Sequence, residues 1–228
     1  MSLADVAVVL ISKFPAPGKV KTRLTSAFTP KQAADVHRAF LLHLVRRLRT
    51  LMPAELFVYF DPPDARDAMA DLLAEHAPIK LIPQVPGDLG MRLAHVASVV
   101  GQTHRRMLIL AVDSPDVPIA HIRLAAQLAA TSDVSIGPAD DGGYWYLGLS
   151  NKVDAAALLH TGIDWSTATT AAQTLTNART MHYRVAMGGR WDDVDRPEDL
   201  RTLMKRLHTS SDADDRELLN VLLQICEG

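Results

Sequence analysis

Between Asp5 and Asp35 the chain carries no acidic residue, yet Lys13, Lys19, Lys21, Arg23 and Lys31 fall in that gap. Four of these cations sit in one loop, Lys13-Phe14-Pro15-Ala16-Pro17-Gly18-Lys19-Val20-Lys21-Thr22-Arg23-Leu24. Arginine as a planar fork and lysine as a point charge can together neutralise a chain of phosphates. A solvated basic surface loop has the same composition. The loop follows the first predicted strand, and open α/β sheets bind ligands at the carboxyl ends of their strands, which favours phosphate. The Gly-x4-Gly-Lys-Ser/Thr pattern of a Walker loop is absent.

Acidic residues that could balance such a site come much later. Asp113 ends the apolar run Met107 to Val112, in the segment Ala111-Val112-Asp113-Ser114-Pro115-Asp116-Val117-Pro118. A carboxylate at a strand end can hold a hard cation such as Mg²⁺. Asp116, just before Val-Pro, is the weaker candidate and reads as a helix cap. Asp193 and Asp195, in Arg190-Trp191-Asp192-Asp193-Val194-Asp195-Arg196-Pro197-Glu198, are two apart, so in an extended segment they point the same way. They repel unless a cation joins them. Asp195 could instead cap the helix that Pro197 begins.

Two glycine turns and one Trp-Ser-Thr segment add weaker signals. Gly137-Pro138-Ala139-Asp140-Asp141-Gly142-Gly143-Tyr144 carries a Gly pair that allows close backbone approach to a ligand, or an ordinary tight turn. Gly87-Asp88-Leu89-Gly90-Met91-Arg92 leads into a helix start, where backbone N–H groups can meet an anion. In Trp165-Ser166-Thr167, Ser166 reads as a helix cap. The nine histidines form no metal-binding pattern, and Gly-x-Ser-x-Gly is absent.

These residues need elements to hold them. Strands are predicted at 6–11, 55–60, 79–83, 107–112, 134–137, 143–149 and 181–186. Helices are predicted from the Thr29 cap with Pro30 and Gln32, then over 64–75, 89–100, 118–130, 166–178, 197–208 and 216–225. Strands alternating with helices predict an α/β fold with a mostly parallel sheet covered on both faces. The chain has 228 residues, enough for one large domain or one with a small appendage. We expect residues 1–208 to form the domain and 209–228 a polar joint and C-terminal helix packed on it.

Lys plus Arg number 24 and Asp plus Glu 26, so near-neutrality gives no general pull toward nucleic acid or a membrane surface. The one cysteine, Cys226, can form neither an internal disulfide nor a cysteine metal cluster. No apolar stretch approaches a membrane span and no signal peptide is framed, so a cytoplasmic location is expected. Nothing in the sequence fixes the oligomeric state.

Six motifs occur in order: Lys13-x-Pro15-x-x-Gly18-x-Val20-Lys21-Thr22-Arg23-Leu24; Gly87-Asp88-Leu89-Gly90-x-Arg92; Asp113-Ser114-Pro115; Gly137-Pro138-x-x-Asp141-Gly142-Gly143-Tyr144; Trp165-Ser166-Thr167; and Asp193-Val194-Asp195-x-Pro197-Glu198-Asp199-Leu200. The set resembles the bacterial glycosyltransferase-like family once labelled a domain of unknown function, within the nucleotide-diphospho-sugar transferase superfamily. The likeness spans about residues 5 to 205. More distantly the chain is similar to molybdenum-cofactor and phospholactate guanylyltransferases, with Pro15, Pro17 and Gly18 where many nucleotidylyltransferases carry a glycine-rich loop.

That resemblance implies a single GT-A type, Rossmann-like domain and a transferase dependent on Mg²⁺ (or Mn²⁺). Its partners would be a nucleotide or nucleotide-sugar and a small-molecule acceptor. Lys13, Gly18, Lys21, Arg23, Gly87, Asp88, Gly90 and Arg92 would bind the nucleotide. Asp113 would be the first metal ligand and Asp193 or Asp195 the second. Asp141, Gly142, Gly143, Tyr144, Trp165 and Ser166 would face the acceptor. Catalysis would rest on Lys21, Arg23 and Asp113. Two reactions fit: nucleotidyl transfer to a small anionic acceptor, narrowly favoured by the dense basic loop, and sugar transfer from a nucleotide-sugar to a hydroxyl. A non-catalytic nucleotide-binding module is a lesser alternative.

Overall fold

The first strand, β1 (Ala7–Lys13), is an apolar run with side chains alternating between two cores. Val8 and Leu10 face one side of the sheet and Ala7 and Val9 the other, all fully buried. Such a strand needs helices on both faces and neighbours on both edges. The computed structural model, which describes residues 3–227, supplies both.

Six further strands complete the sheet: β2 (Glu55–Asp61), β3 (Lys80–Pro83), β4 (Arg106–Ala111), β5 (Val134–Pro138), β6 (Tyr144–Ser150) and β7 (Val185–Met187). Their order is β3-β2-β1-β4-β6-β5-β7. All neighbours run parallel except at β6, which is antiparallel to β4 and β5. The sheet is therefore the mostly parallel, mixed α/β sheet that the sequence predicts. From β1 the chain winds outward to β2 and β3, then returns to the other side of β1 as β4. This reversal opens a crevice at the carboxyl ends of β1 and β4, the usual ligand position in such sheets.

Helices α1 (Pro30–Thr50), α2 (Arg66–Leu73), α4 (Ile119–Thr131), α7 (Pro197–Thr209) and α8 (Ala213–Glu227) cover the Val8 and Leu10 face. Helices α3 (Leu89–Val100), α5 (Ala155–His160) and α6 (Thr170–Thr180) cover the other. The capping box at α1 forms as predicted: Thr29 Oγ1 accepts from Gln32 N–H at 3.2 Å, and Gln32 Oε1 accepts from Thr29 N–H at 2.9 Å. Val36, Phe40, Leu44 and Leu48 then form a fully buried stripe.

Two predicted elements differ, and one helix is unpredicted. The helix expected from Ser166 starts at Thr170, because Ser166 adopts φ +61° and cannot join it. The strand expected over 181–186 shortens to β7, since the chain turns at Met181 and at His182 (φ +59°) after α6. The six-residue α5 is too short to print a helical period on the sequence. Among the described residues, no helix is long and apolar enough to cross a membrane.

The joint before α8 is brief, with Ser210 Oγ donating to Asp215 Oδ2 at 2.7 Å. Leu218 and Leu222 bury against the α1 face, and Gln32 Nε2 donates to the Ile225 carbonyl at 2.8 Å. His43 of α1 lies under this helix, 3.5 Å from Asp215 Oδ1. Burial lowers its pKa below 6.5, Asp215 pulling the other way and Arg47 and Arg46 reinforcing the fall. The folded protein thus holds His43 neutral, and the unfolded chain takes up the proton first as pH falls below about 6.5. Stability from this site is complete above that value and declines below it. We predict that the urea midpoint falls between pH 7 and pH 5 in the wild type and falls less in His43→Gln. Equal falls in both proteins would contradict this account.

Candidate active site

The carboxyl ends of the parallel strands deliver Lys13 from β1, Asp61 from β2, Gln84 just after β3 and Asp113 just after β4. They line a cleft of about 530 Å³, together with Ser12, Lys19, Lys21, His37, Gly87, Arg92, Ser166 and Asp195. The basic loop is pinned at its base by Val20 and Leu24, which are buried. Lys21 between them takes a left-handed backbone conformation, φ +46°, ahead of a 3-10 turn at Thr22–Ser26. That twist turns the Lys21 side chain inward, leaving it 2% exposed.

Three oxygens meet the Lys21 ammonium. Its Nζ donates to the Val194 carbonyl at 2.6 Å and to Asp195 Oδ1 at 3.1 Å, and it pairs closely with Asp113 Oδ1. The ring of Phe40 lies beneath, its centroid 5.6 Å from Nζ. Arg23 takes the other oxygen of Asp195, NH1 to Oδ2 at 3.0 Å. Burial alone would lower the Lys21 pKa, but the fields of Asp113 and Asp195 outweigh it and the net shift is upward. The Asp113 carboxylate is 40% exposed, open to the cleft on one side and walled by protein on the other. The protein wall would raise its pKa, and Lys21 reverses the sign, so it stays ionised.

Two loops hold these carboxylates in register. Val194 N–H donates to the Asp113 carbonyl at 2.8 Å, and Ser114 Oγ donates to the Asp192 carbonyl at 3.0 Å. Asp116 adds a third tie. Its oxygens accept from Trp191 Nε1 at 3.1 Å and from Arg206 Nε and NH2 at 2.6 and 3.2 Å. Asp116 therefore caps no helix; it is a buried carboxylate joining the Asp113 loop to Trp191 and α7. Arg47 of α1 donates to the Pro115 carbonyl at 2.9 Å from beneath. Nor does Asp195 cap α7: Asp199 accepts from the backbone N–H groups of Asp195 and Arg196, which leaves the Asp195 side chain to the cations.

The far end of the cleft is another bonded unit. Gln84 is buried, and its Nε2 donates to the carbonyls of Ser12 at 2.9 Å and Tyr59 at 3.0 Å. Its Oε1 accepts from Arg92 NH1 at 2.9 Å, and Arg92 Nε donates to the Gly87 carbonyl at 3.2 Å. Asp61 stands 3.5 Å from the same guanidinium. His37 is also at the wall, with Nε2 at 3.0 Å from Ser12 Oγ and 3.1 Å from the Lys13 carbonyl. Burial, above all, lowers its pKa, so it is neutral near pH 7.

The remaining predicted residues take varied places. Gly18 is exposed at the loop tip, φ +73°. Asp88 caps α3, accepting from Met91 N–H at 2.8 Å. Gly90 packs under the cleft, where a Cβ would lie 2.6 Å from the Leu159 carbonyl and 2.7 Å from Trp165 Nε1. Trp165 thus serves that packing, while Ser166 reaches the cleft. Asp141 accepts from Gly143 N–H at 2.8 Å, and Gly142 (φ +88°) abuts the Ala168 backbone too closely for any Cβ. The Tyr144 hydroxyl is buried, which raises its pKa.

Asp193 points elsewhere than Lys21. It lines an adjoining pocket of about 330 Å³ with Asp140, Asp141, Asp192, Asp199 and the arginines Arg23, Arg196 and Arg206, and Asp195 borders both cavities. Burial and the charges of Asp195, Asp141 and Asp113 push its carboxyl up to about 6. Among the described residues no group of three or more His, Cys, Asp or Glu side chains is arranged to hold a metal ion. Oxygens of Asp113, Asp195 and the Val194 carbonyl converge on the Lys21 ammonium.

The model of a family described as an uncharacterized protein conserved in bacteria (DUF2064) matches residues 44–167. The chain belongs to this family. Among solved structures, the DUF2064 chain is similar to a Desulfovibrio desulfuricans G20 protein provisionally designated a nucleotide-diphospho-sugar transferase. Identity is 29%, coverage 99% of both chains and the TM-score 0.82. It is also similar to a cytidylyltransferase from Leptospira borgpetersenii at 12% identity, covering 96% of this chain and 94% of that one, TM-score 0.59. A third is Rv0371c from Mycobacterium tuberculosis, solved with manganese, at 15% identity, 88% and 98% coverage and TM-score 0.53. No curated protein matches the chain. The fold is that of the nucleotide-diphospho-sugar transferases and nucleotidyltransferases, as the sequence resemblance implies.

Asp116→Ala leaves Trp191 and Arg206 without their acceptor, and Arg206 is partly exposed, so the cost is below that of a fully buried pair. We expect a loss of about 2–3 kcal/mol in urea unfolding. A loss under about 0.5 kcal/mol, the range of ordinary surface changes, would show the tie to be incidental.

Proposed function

We propose that this nucleotide-dependent transferase takes a nucleoside-diphosphate sugar in the 530 Å³ cleft and moves the sugar to a hydroxyl of an acceptor in the adjoining pocket. The observation that carries this reading is the contrast between the two cavities. Lys13, Lys19, Lys21 and Arg92 outnumber Asp61, Asp113 and Asp195 in the first, which suits a diphosphate. Six aspartates line the second against three arginines, Arg23, Arg196 and Arg206, and this excess of carboxylates disfavours an anionic acceptor and suits hydrogen bonds from hydroxyls.

In this reading Lys13, Lys19, Lys21 and Arg23 hold the phosphates, with Gly18 letting the loop turn over them. Arg92, fixed by Gln84 and Gly87, orients the base or ribose end beside Asp61. Asp141, the Gly142-Gly143 turn and Asp193 form the acceptor side. Asp113 and Asp195 hold a divalent ion, Mg²⁺ or Mn²⁺, and two carboxylates with a carbonyl suit such a hard cation. When bound, the ion neutralises charge that builds on the departing diphosphate. The bond from the sugar to the diphosphate breaks, a bond to the acceptor oxygen forms, and the hydroxyl proton passes to a carboxylate or solvent.

One observation favours nucleotidyl transfer instead. Four cations around the end of β1 could hold a triphosphate as well as a diphosphate. The α–β phosphoanhydride would then break and pyrophosphate would leave. The two reactions give different products from different donors. Incubation with nucleotide-sugars and with nucleoside triphosphates, each with Mg²⁺ and hydroxylated acceptors, is expected to release nucleoside diphosphate from the former. Release of pyrophosphate alone would establish the second reading. Asp113→Asn should lower turnover about 100-fold in either case, by analogy with other losses of electrostatic stabilisation. Undiminished turnover would remove Asp113 from the chemistry.

A further inference from the structure

The ammonium of Lys21 stands at the one point where Asp113 Oδ1, Asp195 Oδ1 and the Val194 carbonyl converge. These are the same oxygens that the proposed divalent ion would use. Two cations cannot share that point, since their repulsion adds to the loss of contact. The charges there are already balanced: the two carboxylates are met by Lys21 and by Arg23. A bare divalent ion gains little from so neutral a site.

We propose that Lys21 is a built-in counter-ion that competes with the divalent cation for Asp113 and Asp195, and that it leaves them when the ion binds. The inference rests on the reading of Asp113 and Asp195 as metal ligands. The side chain has somewhere to go, because Lys21 lines the cleft of about 530 Å³ along with Ser12, Lys19 and Thr22. There a ligand phosphate offers the ammonium replacement oxygens. The ion and the phosphates therefore bind with positive coupling, each favouring the Lys21 position that the other needs. Lys21 thereby neutralises the carboxylates and prevents two like charges from facing each other unscreened.

Mn²⁺ is the probe, its free concentration read by electron paramagnetic resonance in titrations without nucleotide. We expect Lys21→Met to bind Mn²⁺ about tenfold or more tightly than the wild type, the size of effect that one nearby charge exerts. Lys21→Met/Asp113→Asn should lose that gain. Lys21→Met leaves its carboxylates unpaired and can fail to fold, so a second measurement uses the unaltered protein. Reductive methylation of Lys21, followed by peptide mass spectrometry, is expected to quicken when Mn²⁺ is added. Equal Mn²⁺ affinity in wild type and Lys21→Met, abolished by Asp113→Asn, would overturn the competition and leave the metal ligands standing. Absence of Mn²⁺ binding in both proteins would overturn the ligand reading and the competition with it. Methylation that is unchanged or slowed by Mn²⁺ would overturn the competition by itself.

Discussion

A lysine ammonium removed from water must find oxygen on several sides, or it gives up its proton. Lys21 solves this by drawing together three distant parts of the chain: the basic loop after β1, Asp113 after β4 and the Val194-Asp195 segment before α7. Every other feature of the cleft is arranged so that this meeting can occur. The sheet reverses its winding between β1 and β4, which sets Lys13 and Asp113 on one rim. Val20 and Leu24 anchor the loop, and its left-handed residue aims the side chain inward.

Paired charges alone would not fix the geometry, since ion pairs in a cleft slide easily. Backbone bonds from Val194 to Asp113 and from Ser114 to Asp192 set the distance between the loops. Asp116 then ties both to Trp191 and Arg206, and Trp191 stacks edge-on against His121 of α4. The carboxylates are thus supported by groups that never reach the cleft, as a binding site needs if it is to hold its shape without ligand. In the neighbouring pocket burial, reinforced by the charges of Asp195 and Asp141, raises the pKa of Asp193.

The sequence makes most of this scaffold readable because local rules and burial agree. The apolar run of β1, the Thr29–Gln32 box and the α3 boundaries each follow from one short pattern. Asp113 is legible as a strand-terminal acid, and the same logic applied to β2 and β3 points to Asp61 and Gln84. Those two are overlooked because neither sits in a glycine-rich motif. His37 is hidden by its setting, since a lone histidine in an apolar helix face usually means packing. Asp116 and Arg206 are ninety residues apart, and no local spacing announces such a pair. Above all, the cations of the basic loop suggest phosphate as their partner. That Lys21 first satisfies the chain's own acids depends on chain reversal in three dimensions, which residue types alone do not encode.

The central claim is that the Lys21 charge binds Asp113 to the basic loop. A double-mutant cycle in urea unfolding tests it most directly, comparing Lys21→Met, Asp113→Asn, both together and the wild type. A favourable coupling of about 1–3 kcal/mol between the two positions is expected, as for contacting groups in one charged network. A coupling within about 0.3 kcal/mol of zero, the additivity seen for independent sites, would contradict it.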